Sequence, residues 1–150
     1  MQNRIFLLEE AFVIFRLSSF SRNLRSELKR SKKIYFYDNG IRNALINQFN
    51  PLSLRNDTGA LWENLMISER LKRNEYHRHY CNTYFWRTSR QQEIDYLEEF
   101  EGKLHAYEFK WQPSRRPKPV PDFIKSYPGS DFQEITRDNY FEFVKGDQIQ

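Results

Sequence analysis

Apolar residues at positions 5, 7, 8, 11 and 12 recur at the spacing of one helical face, which predicts a helix over Asn3–Phe12. Phe12-Val13-Ile14-Phe15-Arg16-Leu17 is β-branched and aromatic and predicts a strand. A polar connector from Ser18 to Ser31, rich in Arg and Lys, leads to a second strand at Lys33–Tyr37. Asp38-Asn39-Gly40 signals a tight turn. A short helix over Ile41–Phe49 follows, ended by Asn50-Pro51.

Arg55-Asn56-Asp57-Thr58-Gly59 supplies N-caps for a helix running to about Arg73. Apolar positions 60, 61, 62, 65, 66, 67 and 71 cover most of its circumference, which predicts packing on more than one side. Glu63 projects between Met66 and Ile67, so its carboxylate needs a partner if that side is buried. The plainer reading takes it to Arg70 or Lys72 at the surface.

Three strands in meander come next: Asn82–Thr88, a turn at Ser89-Arg90-Gln91, then Gln92–Glu98 and Leu104–Trp111, joined by Glu99-Phe100-Glu101-Gly102-Lys103. On a strand of period two, Glu108 and Lys110 leave on one side with Leu104 and Ala106, while His105, Tyr107, Phe109 and Trp111 fill the other. The hairpin can bring Asp95 beside Glu108. Two acids and a lysine then converge, a set suited to a hard cation such as Mg²⁺ or Mn²⁺ acting on a phosphodiester. The bland alternative is a solvated strand face with a surface ion pair.

Past Trp111 the segment Gln112–Pro119 is basic and proline-rich and cannot be helix interior. A short helix over Pro121–Tyr127 begins at proline, a strand is predicted at Phe132–Thr136, and Asn139–Val144 packs without a chemical clue. His77, His79 and Cys81 alternate as soft-metal ligands, but with no second ligand cluster in the sequence they read as a loop or strand entry rather than a zinc site.

The composition of 17% aromatic and 29% charged residues describes a soluble chain with material for a core. No apolar run nears the roughly 18 residues that span a bilayer, and there is no signal-peptide pattern, so a cytoplasmic location away from membranes is expected. The single cysteine, Cys81, excludes an intrachain disulfide framework. Residues 1–37 carry eight Lys/Arg against three acids, and residues 38–150 sixteen against seventeen, so the net +4 is N-terminal. Local basicity suits a polyanion such as DNA or RNA, and equally a solvated surface. Candidate phosphate contacts are Arg25, Arg30 and Lys32 in that segment, Arg87 at a strand end, and Arg115, Arg116 and Lys118 in the proline-rich loop.

The order from Asp57, with its acids, resembles the PD-(D/E)xK, or restriction-endonuclease-like, fold. Glu63, Asp95 and Glu108-Phe109-Lys110 stand where that superfamily has its helical acid, aspartate and E-x-K. More specifically, the chain is similar to the domain of unknown function at the C-terminus of many prokaryotic AAA-like ATPases. The similarity lies in Lys33-Ile34-Tyr35-Phe36-Tyr37-Asp38-Asn39-Gly40, Gly59-Ala60-Leu61-Trp62-Glu63-Asn64, Phe85-Trp86-Arg87-Thr88, Glu93-Ile94-Asp95 and Tyr107-Glu108-Phe109-Lys110. Ile94 stands where the superfamily usually has a proline.

The resemblance implies an α/β (α+β) fold with an αβββαβ core and mixed sheet over 57–150, a connector and short helix over 38–56, and the end and wing of a partial winged helix over 1–37. It implies Mg²⁺ or Mn²⁺ held by Asp95 and Glu108 with Glu63, Lys110 near the attacking water, and nucleic acid, DNA in the first instance, as partner. It also implies a P-loop ATPase module outside this chain, which would make the chain a C-terminal fragment or truncated product. The chain has no G-x-x-x-x-G-K-[ST], hence no ATP site of that kind. A non-catalytic interaction or DNA-tethering module is the rival expectation, and the oligomeric state, a homo-oligomer included, stays open.

Overall fold

Alternating aromatic and β-branched residues pair here into one six-stranded mixed sheet, in a computed structural model that describes residues 2–22 and 31–145. In chain order the elements are α1 (Gln2–Glu10), β1 (Ile14–Ser19), β2 (Lys32–Phe36), α2 (Asn39–Leu45), a 3₁₀ turn (Leu52–Leu54), α3 (Thr58–Tyr76), β3 (Asn82–Arg87), β4 (Glu93–Phe100), β5 (Lys103–Phe109), α4 (Pro121–Ser126), β6 (Asp131–Ile135) and α5 (Tyr140–Val144). The strand order is β2-β1-β3-β4-β5-β6. The fold is therefore mixed α+β, and from α3 onward its core elements run helix, three strands, helix, strand.

β3, β4 and β5 form the expected antiparallel meander, and β6 returns parallel to β5 through α4. The β4–β5 turn is tighter than the five-residue connection expected from sequence. Phe100 pairs with Lys103, leaving Glu101 and Gly102 at φ 49° and 77°, the left-handed pair that a two-residue hairpin of this twist requires. The N-terminal hairpin, expected as a wing, continues the same sheet. β1 pairs antiparallel with β2 and parallel with β3, the latter only at Ser18–Tyr84 and Ser19–Phe85.

Both faces of the sheet are covered. Trp62, Met66 and Ile67 of α3 and Phe143 of α5 pack on Phe15, Leu17, Tyr35, Phe85, Tyr96, Phe109 and Ile135. On the other face Phe123 of α4 packs on Phe20, Trp86, Ile94, Leu97, Leu104 and Ala106. Leu104 and Ala106 are thus core residues, so the β5 side that carries Glu108 is solvated only near its end.

Two local expectations are corrected. Asp38-Asn39-Gly40 is the start of a helix, not a free turn: Asp38 Oδ1 accepts the Ile41 N–H at 3.1 Å as N-cap. A Cβ at Gly40 would lie 2.7 Å from that same oxygen, so a larger residue there would push the capping carboxylate aside. Along α3, Leu65 is exposed whereas Asn64, Ser68, Arg70 and Asn74 are buried, so the buried stripe is part polar. Asn64 bonds both the N–H and C=O of Phe36, fixing the sheet's edge strand to the helix. Among the described residues no helix is long and apolar enough to cross a membrane.

Candidate functional site

A bulge in β4 creates the site. Tyr84 pairs with Leu97 and Trp86 with Ile94, so Asp95 and Tyr96 together oppose Phe85 alone. The extra residue breaks the alternation: Ile94 and Leu97, three apart, both reach the α4 side, while Tyr96 reaches the α3 side. The β4–β5 ladder stops at Tyr96–Tyr107, and beyond it Asp95 Oδ2 accepts the Phe109 N–H at 2.9 Å. Burial first, and Glu63 second, raise the Asp95 carboxyl to about 7, against the pull of the Phe109 N–H, Lys33 and Lys110. Two other strongly held acids have a guanidinium: Glu98 has Arg70, and Asp57 has Arg55 and Arg42. Among the described residues Asp95 has no lysine or arginine in ion-pair contact.

Glu63 finds its partner across the sheet's edge rather than at Arg70 or Lys72. It accepts from the Tyr35 hydroxyl at 2.5 Å and from Lys33 Nζ at 3.2 Å. Lys33 also donates to Glu93, which in turn receives Arg87, so Arg87 is spent on an ion pair. Burial opposes the charge on Lys33, but Glu63, Glu93 and Asp95 outweigh it and raise its pKa. Sequence reasoning assigned Lys33 and Tyr35 no role. The available signal was their period-two spacing, which puts both on one face of β2.

Glu108 and Lys110 sit at the end of β5, where they pair with each other at 2.7 Å. Burial opposes the Lys110 charge, but Glu108 outweighs it and raises the pKa, so this lysine is an ammonium at neutral pH. Glu134, beside Glu108 on β6, accepts the backbone N–H and hydroxyl of Ser114 at 2.9 and 2.5 Å. That anchors the proline-rich segment next to Lys110, with Arg115, Arg116 and Lys118 exposed. Lys32 is exposed at the start of β2, and Arg25 and Arg30 lie outside the described residues.

Asp95 thus lies in the fields of Glu63, Lys33 and Lys110, with Glu108 reached through Lys110. The three acids Glu63, Asp95 and Glu108 are not gathered within one coordination distance. Among the described residues the trio whose ligand atoms all lie within 4.8 Å of one another is His79, Cys81 and Glu98. That trio is poorly suited to a metal, because Glu98 is saturated by Arg70, Asn74 and Tyr96, and burial pushes the Cys81 thiol up to about 11. Cys81 should react with a disulfide reagent at pH 7.5 about a hundredfold more slowly than a free cysteine, read as thiol release over time.

Residues 58–148 match the family model described as Domain of unknown function (DUF4143), and residues 1–52 match one described as Domain of unknown function (DUF8612). The first stretch carries Glu63, Asp95, Glu108 and Lys110, and the second carries Lys33 and Tyr35, so the site is assembled from both. Two relatives are Uncharacterized protein Mb2031c of Mycobacterium bovis and Uncharacterized protein Rv2008c of Mycobacterium tuberculosis. Each is 29% identical over 108 residues, covering 69% of this chain and 23% of the relative. The chain spans about a quarter of the length of these relatives. No solved structure matches.

Proposed function

We propose that this chain, which belongs to the family described as domain of unknown function DUF4143, uses Asp95 to hold a divalent cation against a nucleic-acid phosphate. The observation that carries this reading is the Asp95 carboxyl: half-buried at a bulge, raised to about 7, and without the basic partner given to Glu98 and Asp57. Keeping such an acid charged is costly, and desolvated carboxyls of this kind cluster at functional sites. The element order from α3 to β6 supports a restriction-endonuclease-like core.

Carboxylate oxygens are the donors that Mg²⁺ and Mn²⁺ take: Asp95 would supply the first, and Glu63 or Glu108 would join it only on leaving its lysine. Such an ion makes a bound water more acidic and neutralises phosphate charge. Lys110 remains protonated and stabilises negative charge rather than accepting a proton. Arg115, Arg116 and Lys118 meet the phosphate backbone beside it, which makes binding steeply salt-dependent. In the wider protein, a P-loop ATPase module would work upstream of this domain.

The test uses the purified chain with Mg²⁺ or Mn²⁺ and supercoiled DNA, single-stranded DNA and RNA. Wild type is expected to cleave at least one of them, with Lys110→Ala about a hundredfold slower. Wild type and variant both leaving every substrate intact would remove hydrolysis. A second reading, a non-catalytic module that tethers nucleic acid or protein, is favoured by one observation. Glu63 and Glu108 already have lysine partners and do not close on Asp95.

A further inference from the structure

The cation that the acidic cluster already holds belongs to the chain itself. Lys33 Nζ bonds Glu63 at 3.2 Å and Glu93 more closely, lies in the field of Asp95, and stands over the Phe85 ring at 5.3 Å from its centroid. Its side chain is 19% exposed, so this is a largely desolvated ammonium in a cage of carboxylates and one aromatic face. Tyr35, two residues on, seats the same Glu63 oxygen. An oxygen that accepts both a hydroxyl and an ammonium has little left to offer a metal.

We propose that Lys33 is a resident counter-ion that keeps the site closed, so that a divalent cation enters only as the ammonium leaves. This rests on the metal-binding reading above and adds its regulation. The competition is set by tethering. Lys33 is delivered by β2, so its local concentration is high without any free ligand. An ammonium seated about nine-tenths of the time lowers apparent metal affinity about tenfold.

The means of release are built in. β2 is the sheet's edge strand and pairs only with β1. β1 in turn joins β3 over a short stretch, with Ser18 and Ser19 in register and the Phe20 N–H donating to the Phe85 carbonyl at 2.7 Å. A long flexible lysine stem can swing out while Asn64 holds Phe36 in place. A phosphate approaching this edge gives the ammonium a new partner, which couples polyanion arrival to metal entry.

The experiment titrates Mn²⁺ into the intact chain without substrate, by calorimetry and by loss of the free-ion electron paramagnetic resonance signal. Lys33→Met is expected to bind Mn²⁺ at least tenfold more tightly than wild type, and Asp95→Ala to abolish binding in both backgrounds. If wild type binds in an Asp95-dependent way and Lys33→Met binds equally or more weakly, the counter-ion role is overturned while the metal site stands. If neither shows Asp95-dependent binding, the metal reading itself fails and the gate falls with it. Circular dichroism checks that Lys33→Met folds. If it does not, Lys33→Arg decides: it keeps the charge and must bind Mn²⁺ no more tightly than wild type, and tighter binding overturns the proposal.

Discussion

Arg70→Met is expected to destabilise the domain by about 3–5 kcal/mol, the usual cost of stranding one member of a buried ion pair. Glu98 is 2% exposed and receives Arg70 Nε and Nη2, both at 2.8 Å. Asn74 and the Tyr96 hydroxyl add bonds at 2.7 and 3.0 Å. The same guanidinium donates to the Phe143 carbonyl at 2.6 Å and lies over the Phe143 and Tyr107 rings, so it also holds α5 against α3.

Burial alone would raise the Glu98 pKa, yet Arg70 with its neighbours brings it below the ordinary value. Its contribution is therefore present above the unfolded carboxylate pKa and lost as pH falls through the lower folded one. In Arg70→Met the sign reverses, because an unpaired buried carboxylate is eased by protonation. The variant should gain stability relative to wild type on acidification. Urea unfolding at pH 5 and pH 8 reads this, and a loss below about 1 kcal/mol, of the size expected for exposed pairs, would show that the pair is solvated.

Asp95→Asn, in contrast, is expected to stabilise the metal-free domain at pH 8 by about 1–3 kcal/mol. The upper limit follows from the rise toward about 7 at roughly 1.4 kcal/mol per unit, discounted because Lys33 and Lys110 face the group. Here the folded pKa lies above the unfolded one. Wild-type stability therefore declines as pH climbs from about 4 to about 7 and the penalty is complete above that range. Asparagine removes the charge and can still accept the Phe109 N–H. The gain should vanish near pH 4, where aspartic acid is largely neutral in both states. Millimolar Mn²⁺ should raise the melting temperature of wild type and leave the variant unmoved. Destabilisation of Asp95→Asn at pH 8 in chelator would make Asp95 a structural acceptor.

The meander was legible because Phe85, Trp86, Ile94, Leu97, Leu104 and Ala106 are apolar enough to announce strands wherever they pair. Helix α3 was legible from its caps and run of apolar residues. The need of Glu63 for a partner also followed from its neighbours, though which partner did not. What stayed hidden depends on contacts distant in sequence. Asn64, Arg70 and Asn74 look like a solvated helix face, and are buried because Phe36, Glu98 and Phe143 come to meet them. The bulge at Asp95 is invisible to a period-two reading, which assumes no inserted residue. Lys33 looked like one basic residue among several, since only the sheet order carries β2 to the acids.

The parallel joint between β1 and β3 has a consequence for biosynthesis. The N-terminal hairpin can zip as soon as it leaves the ribosome, since its pairing is local. Phe15 and Leu17 on it nevertheless stay wet until Trp62, Met66 and Ile67 of α3 have been translated, and the hairpin joins the rest of the sheet only when Tyr84 and Phe85 follow. Closing that long loop is the slow event, ordered after the meander has formed. A nascent chain paused before α3 is therefore a two-stranded ribbon with one apolar face uncovered, the kind of intermediate that chaperones hold.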